Sequence, residues 1–426
     1  MNHYPTDGGQ RAETPPADAH DHRDWRFSPP CQQNTKQMPA STDVFVIGGG
    51  PAGLAAAIAA SSRGFSVTIA DGALPPIDKA CGEGLMPDGL AALRELGVEI
   101  TARDGFAFRG VRFVDEGAVA ETRFPGVAQA EGAQAGRAML VRPGIGVRRP
   151  VLQQRMMERA AALGATFLWG TPVSGLCRAG VALAGGAMVR ARWIIGADGS
   201  GSRVRRWSGL DAHVHKSSRF AFRRHYRVTP WSDCAQVYWG EHAQAYVTPV
   251  SREEICVVIV TRGSGQRMDA LLEEFPGLVA SLSHAAATSA ERGAVTLMHG
   301  LRCVTRGNVA LIGDASGSVD AITGEGLCLS FHQAAALAKA LERGDLTLYQ
   351  RAHRRLARRP TFMARMMLAL DARPTLRRRV LRAFSANPAI FARMLAVHVG
   401  ATSPAHLAMT GAMLGWRFLA ADGELA

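Results

Sequence analysis

Short, largely apolar runs alternate with helical segments in the first third of the chain. Residues 43–47 form one such run and 65–70 form another, with an alanine-rich segment at 51–63 between them. Apolar runs of this length, bounded by glycine, are typical of strands that are buried on both faces of a parallel sheet. The pattern therefore predicts a β–α–β unit of about 30 residues. It also predicts further buried strands at 193–197 and 308–312.

Strand-like segments recur through the middle of the chain, within 106–124 and at 224–228, 244–247 and 255–260. We predict that they build a separate, antiparallel substrate-binding sheet. The chain from residue 346 onward has helical periodicity. Residues 1–40 are polar and proline-rich and lack apolar periodicity, which predicts a disordered extension. Translation from Met38 fits this pattern as well as translation from Met1.

The composition is that of a globular protein. Hydrophobic residues occupy 47% of the 426 positions and charged residues 20%, so the chain can bury a large core in two lobes. No uncharged apolar run reaches the ~18 residues of a membrane-spanning helix. The seven cysteines are scattered and are never spaced as CxxC. This spacing argues against a disulfide framework or a zinc site and favours a cytoplasmic location.

Positive charge is concentrated near the C-terminus. The net charge is +13, and from Arg343 to the end 14 arginines stand against four acidic residues. No RNP-like strand, zinc-finger spacing or basic groove with interleaved aromatic residues is found, which argues against a nucleic-acid partner. Two interpretations of the basic C-terminal helices stay open. One is a solvated face on helices that pack against the rest of the protein, and the other is peripheral contact with an anionic membrane.

A glycine-rich loop follows the first strand, with the sequence Gly48-Gly49-Gly50-Pro51-Ala52-Gly53. Gly48 permits a tight turn, Gly50 lets the backbone approach a pyrophosphate, and Gly53 permits close helix–strand packing. The positive end of the following helix favours the anion. Asp71, at the end of the second strand, is placed to bind an adenosine ribose. The unit thus predicts a dinucleotide site.

Three segments further along resemble the motifs of one family. Asp198-Gly199-x-x-Ser202-x-x-Arg205 resembles the DG motif of FAD-dependent aromatic hydroxylases and their relatives. Gly313-Asp314, followed by Thr323-Gly324-Glu325-Gly326, resembles their GD motif, in a form most similar to that of geranylgeranyl reductases. Arg149-Pro150-Val151-Leu152 matches their R-x-x-L at the start of a helix. Order and spacing agree over about 42–345.

The resemblance implies a fold class and a cofactor. The fold class is α/β: an FAD-binding Rossmann-type lobe like that of glutathione reductase and p-hydroxybenzoate hydroxylase, an antiparallel β substrate lobe and a helical C-terminus. We predict a discontinuous FAD-binding domain, a β-rich substrate domain and a helical region, at 42–105 with 145–210 and 301–345, at 106–144 with 211–300, and at 346–426.

FAD is the expected cofactor, and the residues implied to bind it follow from the motifs. They are Gly48, Gly50, Pro51, Ala52, Gly53, Asp71, Arg149, Asp198, Gly199, Gly313, Asp314, Gly324, Glu325 and Gly326. A second GxGxxG is missing, so NAD(P)H is expected as a transient reductant that binds over the FAD lobe.

Catalytic side chains are less well determined, because a flavin carries most of the chemistry itself. Residues 78–87 resemble the CxG segment that lies beside the flavin ring in geranylgeranyl reductases. By this resemblance Glu83 relays a proton and Cys81 lines the substrate cavity, or both merely shape its wall. Tyr246 and His225 lie on predicted strands of the substrate sheet, either facing the cavity or serving as ordinary core or surface residues. Around Tyr246, both tryptophans of the substrate-lobe signature of reductases and halogenases are missing.

The preferred function is NAD(P)H-dependent monooxygenation of a hydrophobic, aromatic or polyketide-like small molecule. The closest alternative is a reductase of isoprenoid double bonds, which the Cys81 segment and Thr323-Gly324-Glu325-Gly326 favour and the altered Tyr246 strand does not. A third possibility is a flavin-holding module without turnover. Oxygen dependence separates the first two, and reduction of the flavin by NAD(P)H excludes the third.

Overall fold

A computed structural model describes residues 38–115, 117–125 and 143–402. Most of the predicted disordered extension and the last part of the predicted helical region, 403–426, lie outside the described residues. The described strands are β1 Ser41–Ile47, β2 Val67–Asp71, β3 Gly84–Leu85, β4 Phe106–Phe108, β5 Gly110–Asp115, β6 Ala118–Arg123, β7 Gly144–Gly146, β8 Thr166–Trp169, β9 Val173–Cys177, β10 Gly180–Leu183, β11 Met188–Gly196, β12 His213–Arg227, β13 Cys234–Trp239, β14 Ala243–Pro249, β15 Glu254–Thr261, β16 Ala286–Ala287, β17 Arg292–Leu301, β18 Thr305–Arg306 and β19 Val309–Leu311. The described α-helices are α1 Pro51–Ser61, α2 Pro87–Glu95, α3 Arg149–Ala162, α4 Arg203–Trp207, α5 Met268–Leu272, α6 Pro276–Leu282, α7 Gly326–Glu342, α8 Leu346–Asp371, α9 Pro374–Ala386 and α10 Pro388–His398.

A largely parallel sheet contains the strands predicted from the apolar runs. Its order is β18-β19-β11-β1-β2-β8, and β10 and β9 extend it from β11 as an antiparallel meander. Helix α1 packs on β1, and α3 and α7 pack on α1. Val44, Phe45 and Val46 are therefore fully buried, which is why the first strand is apolar without alternation.

A second, mostly antiparallel sheet contains the predicted substrate-sheet strands. Its order is β16-β12-β15-β14-β13-β5-β6, with β17 also paired to β12. Strands β5 and β13 run parallel. A small three-stranded sheet, β3-β7-β4, lies in addition to these two. The predicted α/β fold class, with parallel and antiparallel sheets and a helical C-terminus, is confirmed.

The C-terminal helices cover one part of the second sheet. Phe391 on α10 stacks near Phe113 on β5, with ring centroids 5.0 Å apart, and Phe113 in turn meets the ring edge of Trp239. Among the described residues no single helix is long and apolar enough to cross a membrane. Among the same residues, α9 and α10 taken together are long and apolar enough by length and composition, but they are bent by 108° at their junction.

Two arginines of the predicted basic surface form ion pairs instead, Arg377 as a buried residue and Arg359 as a partly buried one. Arg377 is 3% exposed, lies 2.8 Å from Asp115 and has its guanidinium over the Trp239 ring. Arg359 donates to Asp88 at 2.9 Å and lies 3.3 Å from Glu325. Helical periodicity did not separate them from the solvated arginines, because their acidic partners come from distant segments.

Acid is expected to weaken the contact between α8 and the turn at Gly313–Ser316. His353 Nε2 lies 2.9 Å from Ser316 Oγ, and burial, with a smaller contribution from Arg354, lowers the pKa of His353 to about 4. Because the unfolded chain takes up this proton near its ordinary pKa of ~6.5, the free energy of unfolding falls as the pH drops from about 6.5 towards 4. Between about pH 7.5 and 5 the loss is about 2 kcal/mol. Urea denaturation at both pH values measures it, and His353→Gln should flatten the dependence by the same amount. An equally steep dependence in the variant would contradict this assignment.

Candidate active site

The glycine loop lies where β1 ends and α1 begins. Gly48 has a φ of +114°, and a Cβ there would lie 2.4 Å from the Ala197 carbonyl oxygen. A Cβ on Gly53 would lie only 1.8 Å from the Gly48 carbonyl oxygen. At Gly50 the nearest atom to an added Cβ is Arg149 Nη2, 3.9 Å away. The first two glycines are thus required by the fold, whereas Gly50 faces open space beside the α1 N-terminus.

Asp71 and a glutamine that sequence reasoning missed hold this loop in place. The Gly49 N–H donates to Asp71 Oδ2 at 2.7 Å, and the Gly49 carbonyl accepts a bond of 3.0 Å from Gln153 Nε2. Gln153 is 1% exposed and also accepts from the Ile77 N–H at 2.6 Å. Gln153 lies four residues after Arg149, so the two side chains share one face of α3. This spacing is the only feature of the sequence that could have pointed to Gln153.

The DG segment ties two loops together. Asp198 accepts hydrogen bonds from Ser202 Oγ at 2.5 Å and from the Arg203 N–H at 2.7 Å, so its carboxylate caps the short helix α4. Arg205 donates to the Ser200 carbonyl at 2.8 Å and to the Ala315 carbonyl at 3.2 Å. The D-G-x-x-S-x-x-R spacing therefore fixes the DG loop against the turn that carries Asp314.

Asp314 has a carboxylate that is open to the interior cavity. Among the described residues it has no hydrogen-bond partner in the structure, and Gly313 before it adopts a φ of +60°. Burial raises the pKa of Asp314, while the charges of Arg149 and Lys79 act in the opposite direction. A carboxylate held in this way is ready to accept hydrogen bonds from a hydroxyl-bearing ligand. Lys79, which sequence reasoning also missed, comes from the segment that carries Cys81.

The Gly324–Gly326 turn opens onto the same cavity from the other side. Gly324 has a φ of +66°, and an added Cβ on Gly324 or Gly326 would have no atom within 4 Å. Glu325 points away from the cavity, 3.3 Å from Arg359 and 3.5 Å from His398. Burial raises the pKa of Glu325, against the charges of these two partners. The backbone of this turn, rather than its carboxylate, faces the cavity.

A cavity of about 600 Å³ connects these loops with the second sheet. The predicted site residues that line it are Gly48, Gly50, Pro51, Ala52, Asp71, Cys81, Glu83, Arg149, Asp198, Gly199, Tyr246, Gly313, Asp314, Gly324 and Gly326. Gly53, Glu325 and His225 do not line it. Gly53 lies against the loop backbone, Glu325 turns towards Arg359, and His225 lies behind Glu83.

Glu83 and His225 form a buried pair behind the cavity wall. Glu83 is 2% exposed, has the left-handed φ of 57°, and receives a 3.0 Å bond from the Arg149 N–H. His225 Nε2 lies 2.7 Å from Glu83 Oε2, and its Nδ1 lies 2.8 Å from Ser289 Oγ. The His225 backbone N–H also donates to Ser289 Oγ, so Ser289 contacts both the backbone and the ring of His225.

Arg223 supplies the charge that balances this pair. It is fully buried, lies 3.4 Å from Glu83 Oε1 and donates to Asp78 Oδ2 at 2.7 Å. Burial acts to lower the pKa of Arg223, but Asp78 and Glu83 outweigh it, so the pKa is raised. A buried carboxylate that is paired in this way is costly to disrupt. The left-handed φ of Glu83 is also strained, because Glu83 is not a glycine, and such strain is concentrated at functional sites.

Tyr246 and Cys81 line the cavity but differ in their surroundings. The Tyr246 hydroxyl lies 2.9 Å from Gln244 Oε1 and 3.2 Å from the Ile322 carbonyl, and burial raises the pKa of Tyr246. Cys81 Sγ accepts a weak bond from the Glu83 N–H, and its carbonyl accepts from Cys256 Sγ at 3.6 Å. Tyr246 thus presents mainly its ring to the cavity, and Cys81 supports the turn that positions Glu83.

A sequence profile of the family described as "FAD binding domain" matches residues 41–344. The chain belongs to this FAD-binding-domain family. This protein is 29% identical to menaquinone reductase of Mycolicibacterium smegmatis, over 74% of this chain and 80% of that protein. It is 30% identical to 6-methylpretetramide 4-monooxygenase of Streptomyces rimosus, over 72% of this chain and 78% of that protein. These relatives confirm that it is an FAD-dependent oxidoreductase.

The fold of this FAD-binding-domain protein is also that of a solved flavoprotein. The flavoprotein/dehydrogenase from Cytophaga hutchinsonii superposes with a TM-score of 0.71 at 20% identity, covering 84% of this chain and 93% of that one. At this identity the likeness concerns the fold alone.

The residues around the cavity fit FAD. Gly50 leaves a cradle that a Cβ would fill, the Asp314 carboxylate lacks a partner among the described residues, and Arg149 Nε is buried without one in the same part of the chain. The loop at Gly50 would hold the pyrophosphate, Asp71 a ribose, Asp314 the ribityl chain and the turn at 324–326 the flavin ring. These individual roles stay predictions.

Proposed function

We propose that this flavoprotein is an NAD(P)H-dependent monooxygenase that hydroxylates an aromatic or polyketide-like ring carrying an apolar tail. The observation that carries the proposal is the shape of the cavity. It runs from the predicted flavin-binding loops into an apolar compartment between the second sheet and the C-terminal helices. A ring at the flavin and a tail in this compartment would use both parts.

The apolar compartment is lined from two sides. Helices α8 and α10 and strands β5 and β13 supply side chains that include Met363, Met367, Phe391, Met394, Phe113 and Val237. Methionine adapts to irregular apolar ligands because it is unbranched and polarizable. The lining also contains the polar side chains of Tyr246 and Thr248. A lining with both polar and apolar parts favours an amphipathic substrate.

The protein's own contribution to turnover is the supply of a proton and the exclusion of water. In hydroxylation one atom of O₂ enters the substrate and the other leaves as water, while NAD(P)H gives two electrons and one proton is taken up. FAD, when bound, passes the electrons on to oxygen. Glu83 lines the cavity, and His225 behind it, when protonated, can return a proton to the Glu83 carboxylate across the 2.7 Å contact. Buried general acids of this kind commonly serve such steps.

Reduction of a carbon–carbon double bond is the second candidate, and a specific observation favours it. A menaquinone reductase matches three quarters of the chain, and the CxG segment at Cys81 lines the cavity. Reduction also needs NAD(P)H and one proton, so the Glu83–His225 pair would serve either reaction. Oxygen is the reactant that separates the two.

The test is turnover with and without oxygen. Purified protein loaded with FAD is mixed with NAD(P)H and phenols that carry alkyl chains of increasing length. The proposal requires that long-chain phenols accelerate flavin reduction and that hydroxylated product forms with one O₂ consumed per product. Anaerobic conversion of an isoprenoid quinone to a product with two hydrogens added across a double bond of its side chain would instead establish the reductase. Both proposals would be contradicted if NAD(P)H fails to reduce the bound flavin in the presence of every ligand tested.

A bulkier residue in the apolar compartment is expected to shorten the accepted tail. Met363 lines the cavity and is 2% exposed, so Met363→Trp should raise KM for a long-chain phenol about tenfold or more while leaving short-chain turnover within about threefold. The matched control is Phe362→Trp, because Phe362 lies next to it on α8 but is 51% exposed. An equal KM change for short and long chains would contradict a tail compartment.

A further inference from the structure

Helix α8 has two opposite faces with different chemistry. The inner face carries buried residues such as Tyr349, Met363, Met367 and Leu370. The outer face carries a stripe of exposed residues separated alternately by three and four positions: Leu348, Arg351, Arg355, Arg358, Phe362 and Arg365. At 1.5 Å per residue this stripe is about 25 Å long. We call it the α8 stripe.

The α8 stripe is basic and has few nearby acids. Within α8 itself, which is described in full, the single acidic residue is Asp371, and it pairs on the other side with Arg262 and Arg219. Among the described residues no ion pair forms with Arg355, Arg358 or Arg365. Exposed arginines without acidic partners create a positive surface that is available to an anionic partner.

Large apolar side chains interrupt the stripe at both ends. Leu348 is 39% exposed and Phe362 is 51% exposed. Arginines alone would suit any polyanion, whereas arginines interleaved with exposed leucine and phenylalanine match the charged and apolar layers of a bilayer surface. The stripe therefore favours lipid over nucleic acid.

The same helix also separates the α8 stripe from the cavity. Met363 and Met367 line the apolar compartment from inside, while Phe362 and Arg365 lie on the outside of the same turns. Contact with a bilayer through α8 would place this compartment close to the lipid phase, where molecules with apolar tails accumulate.

We infer that the α8 stripe is a docking surface for an anionic lipid bilayer. Each arginine near such a surface strengthens binding roughly fivefold through the negative potential of the lipid headgroups, and this contribution falls with salt. The apolar side chains enter the interface and contribute a part that salt does not screen. Docking depends on the outer face of α8 and not on the reaction inside, so it stands or falls separately from the proposed function.

Co-sedimentation of the full chain, loaded with FAD, with vesicles tests the inference. The probes are phosphatidylcholine vesicles and vesicles that also contain phosphatidylserine, at low and high salt. Wild-type protein should bind the anionic vesicles in a salt-sensitive way. Arg355→Gln/Arg358→Gln/Arg365→Gln should weaken this binding by roughly 100-fold. Phe362→Ser should remove the binding that remains at high salt.

The matched control removes the same net charge elsewhere. Arg94, Arg103 and Arg178 are exposed arginines outside α8, and Arg94→Gln/Arg103→Gln/Arg178→Gln should bind vesicles like wild type. Retention of the flavin spectrum verifies that each variant is folded. The inference is overturned if wild-type protein ignores anionic vesicles or if both triple variants lose binding equally. It is also overturned if the stripe variant loses only the binding of a DNA duplex.

Discussion

Gly50→Ala is expected to leave the protein folded and to weaken FAD binding by about 10- to 100-fold. Gly50 has φ −75° and ψ 176°, which alanine adopts without strain. An added Cβ would meet no protein atom closer than 3.9 Å. It would instead occupy the space through which a pyrophosphate approaches the N-terminus of α1. Titration of the apoprotein with FAD, followed by flavin fluorescence, measures the loss.

Two further alanine variants show whether the space at Gly50 is the cause. Gly201 has no atom within 4 Å of an added Cβ and does not line the cavity, so Gly201→Ala should bind FAD like wild type. Gly53→Ala should lose both stability and FAD, because its Cβ would lie 1.8 Å from the Gly48 carbonyl oxygen. If Gly50→Ala keeps full affinity for FAD, the pyrophosphate does not lie at this loop.

Glu83→Gln is expected to lower kcat by about 100-fold while FAD stays bound. Glutamine keeps the size of glutamate and an acceptor for the Arg149 N–H, which lies 3.0 Å from Oε1. It cannot, however, release and regain a proton at the cavity wall. The loss should fall on kcat rather than on KM for the substrate, and the solvent isotope effect on kcat should increase as proton transfer becomes limiting.

The control for Glu83→Gln is a substitution of Glu254, a neighbouring carboxylate that contacts Arg148, as Glu83 does. Glu254 Oε2 lies 2.7 Å from Arg148 Nη1, and Arg148 Nε lies 3.8 Å from Glu83. Glu254 does not line the cavity, so Glu254→Gln should leave kcat within about threefold. His225→Gln acts through Glu83 and should therefore shift the pH profile of kcat while the flavin spectrum is unchanged. If Glu83→Gln has the kcat and pH profile of the wild type, Glu83 does not transfer a proton and only shapes the cavity wall.

Some features of the site follow from short stretches of sequence. The glycine loop, the DG segment and the Gly313-Asp314 turn depend on backbone conformations that glycine permits and on caps between near neighbours, such as Asp198 with Ser202. Because these requirements are local, the residues of these motifs can be picked out from the sequence, and the structure gathers most of them around one cavity. The continuous apolar runs likewise predicted the buried parallel strands.

Other features depend on contacts between distant segments. Glu325 belongs to a cofactor motif but turns to Arg359 and His398, because two C-terminal helices place these side chains behind it. Gln153 and Lys79 show no recognisable motif, yet folding brings both to the loops that the motifs predicted.

The sequence by itself determined the FAD-binding family, the α/β fold class and the residues whose backbone forms the cradle, since these depend on local conformation and on the order of apolar runs. Tertiary structure alone decided that His225 lies behind Glu83, that Arg377 and Arg359 form ion pairs with distant acidic residues, and that α8 lines the cavity on one face and presents arginines on the other. The physical reason is that charge pairing and burial are set by which distant side chains meet, and periodicity within one segment carries no information about its partner.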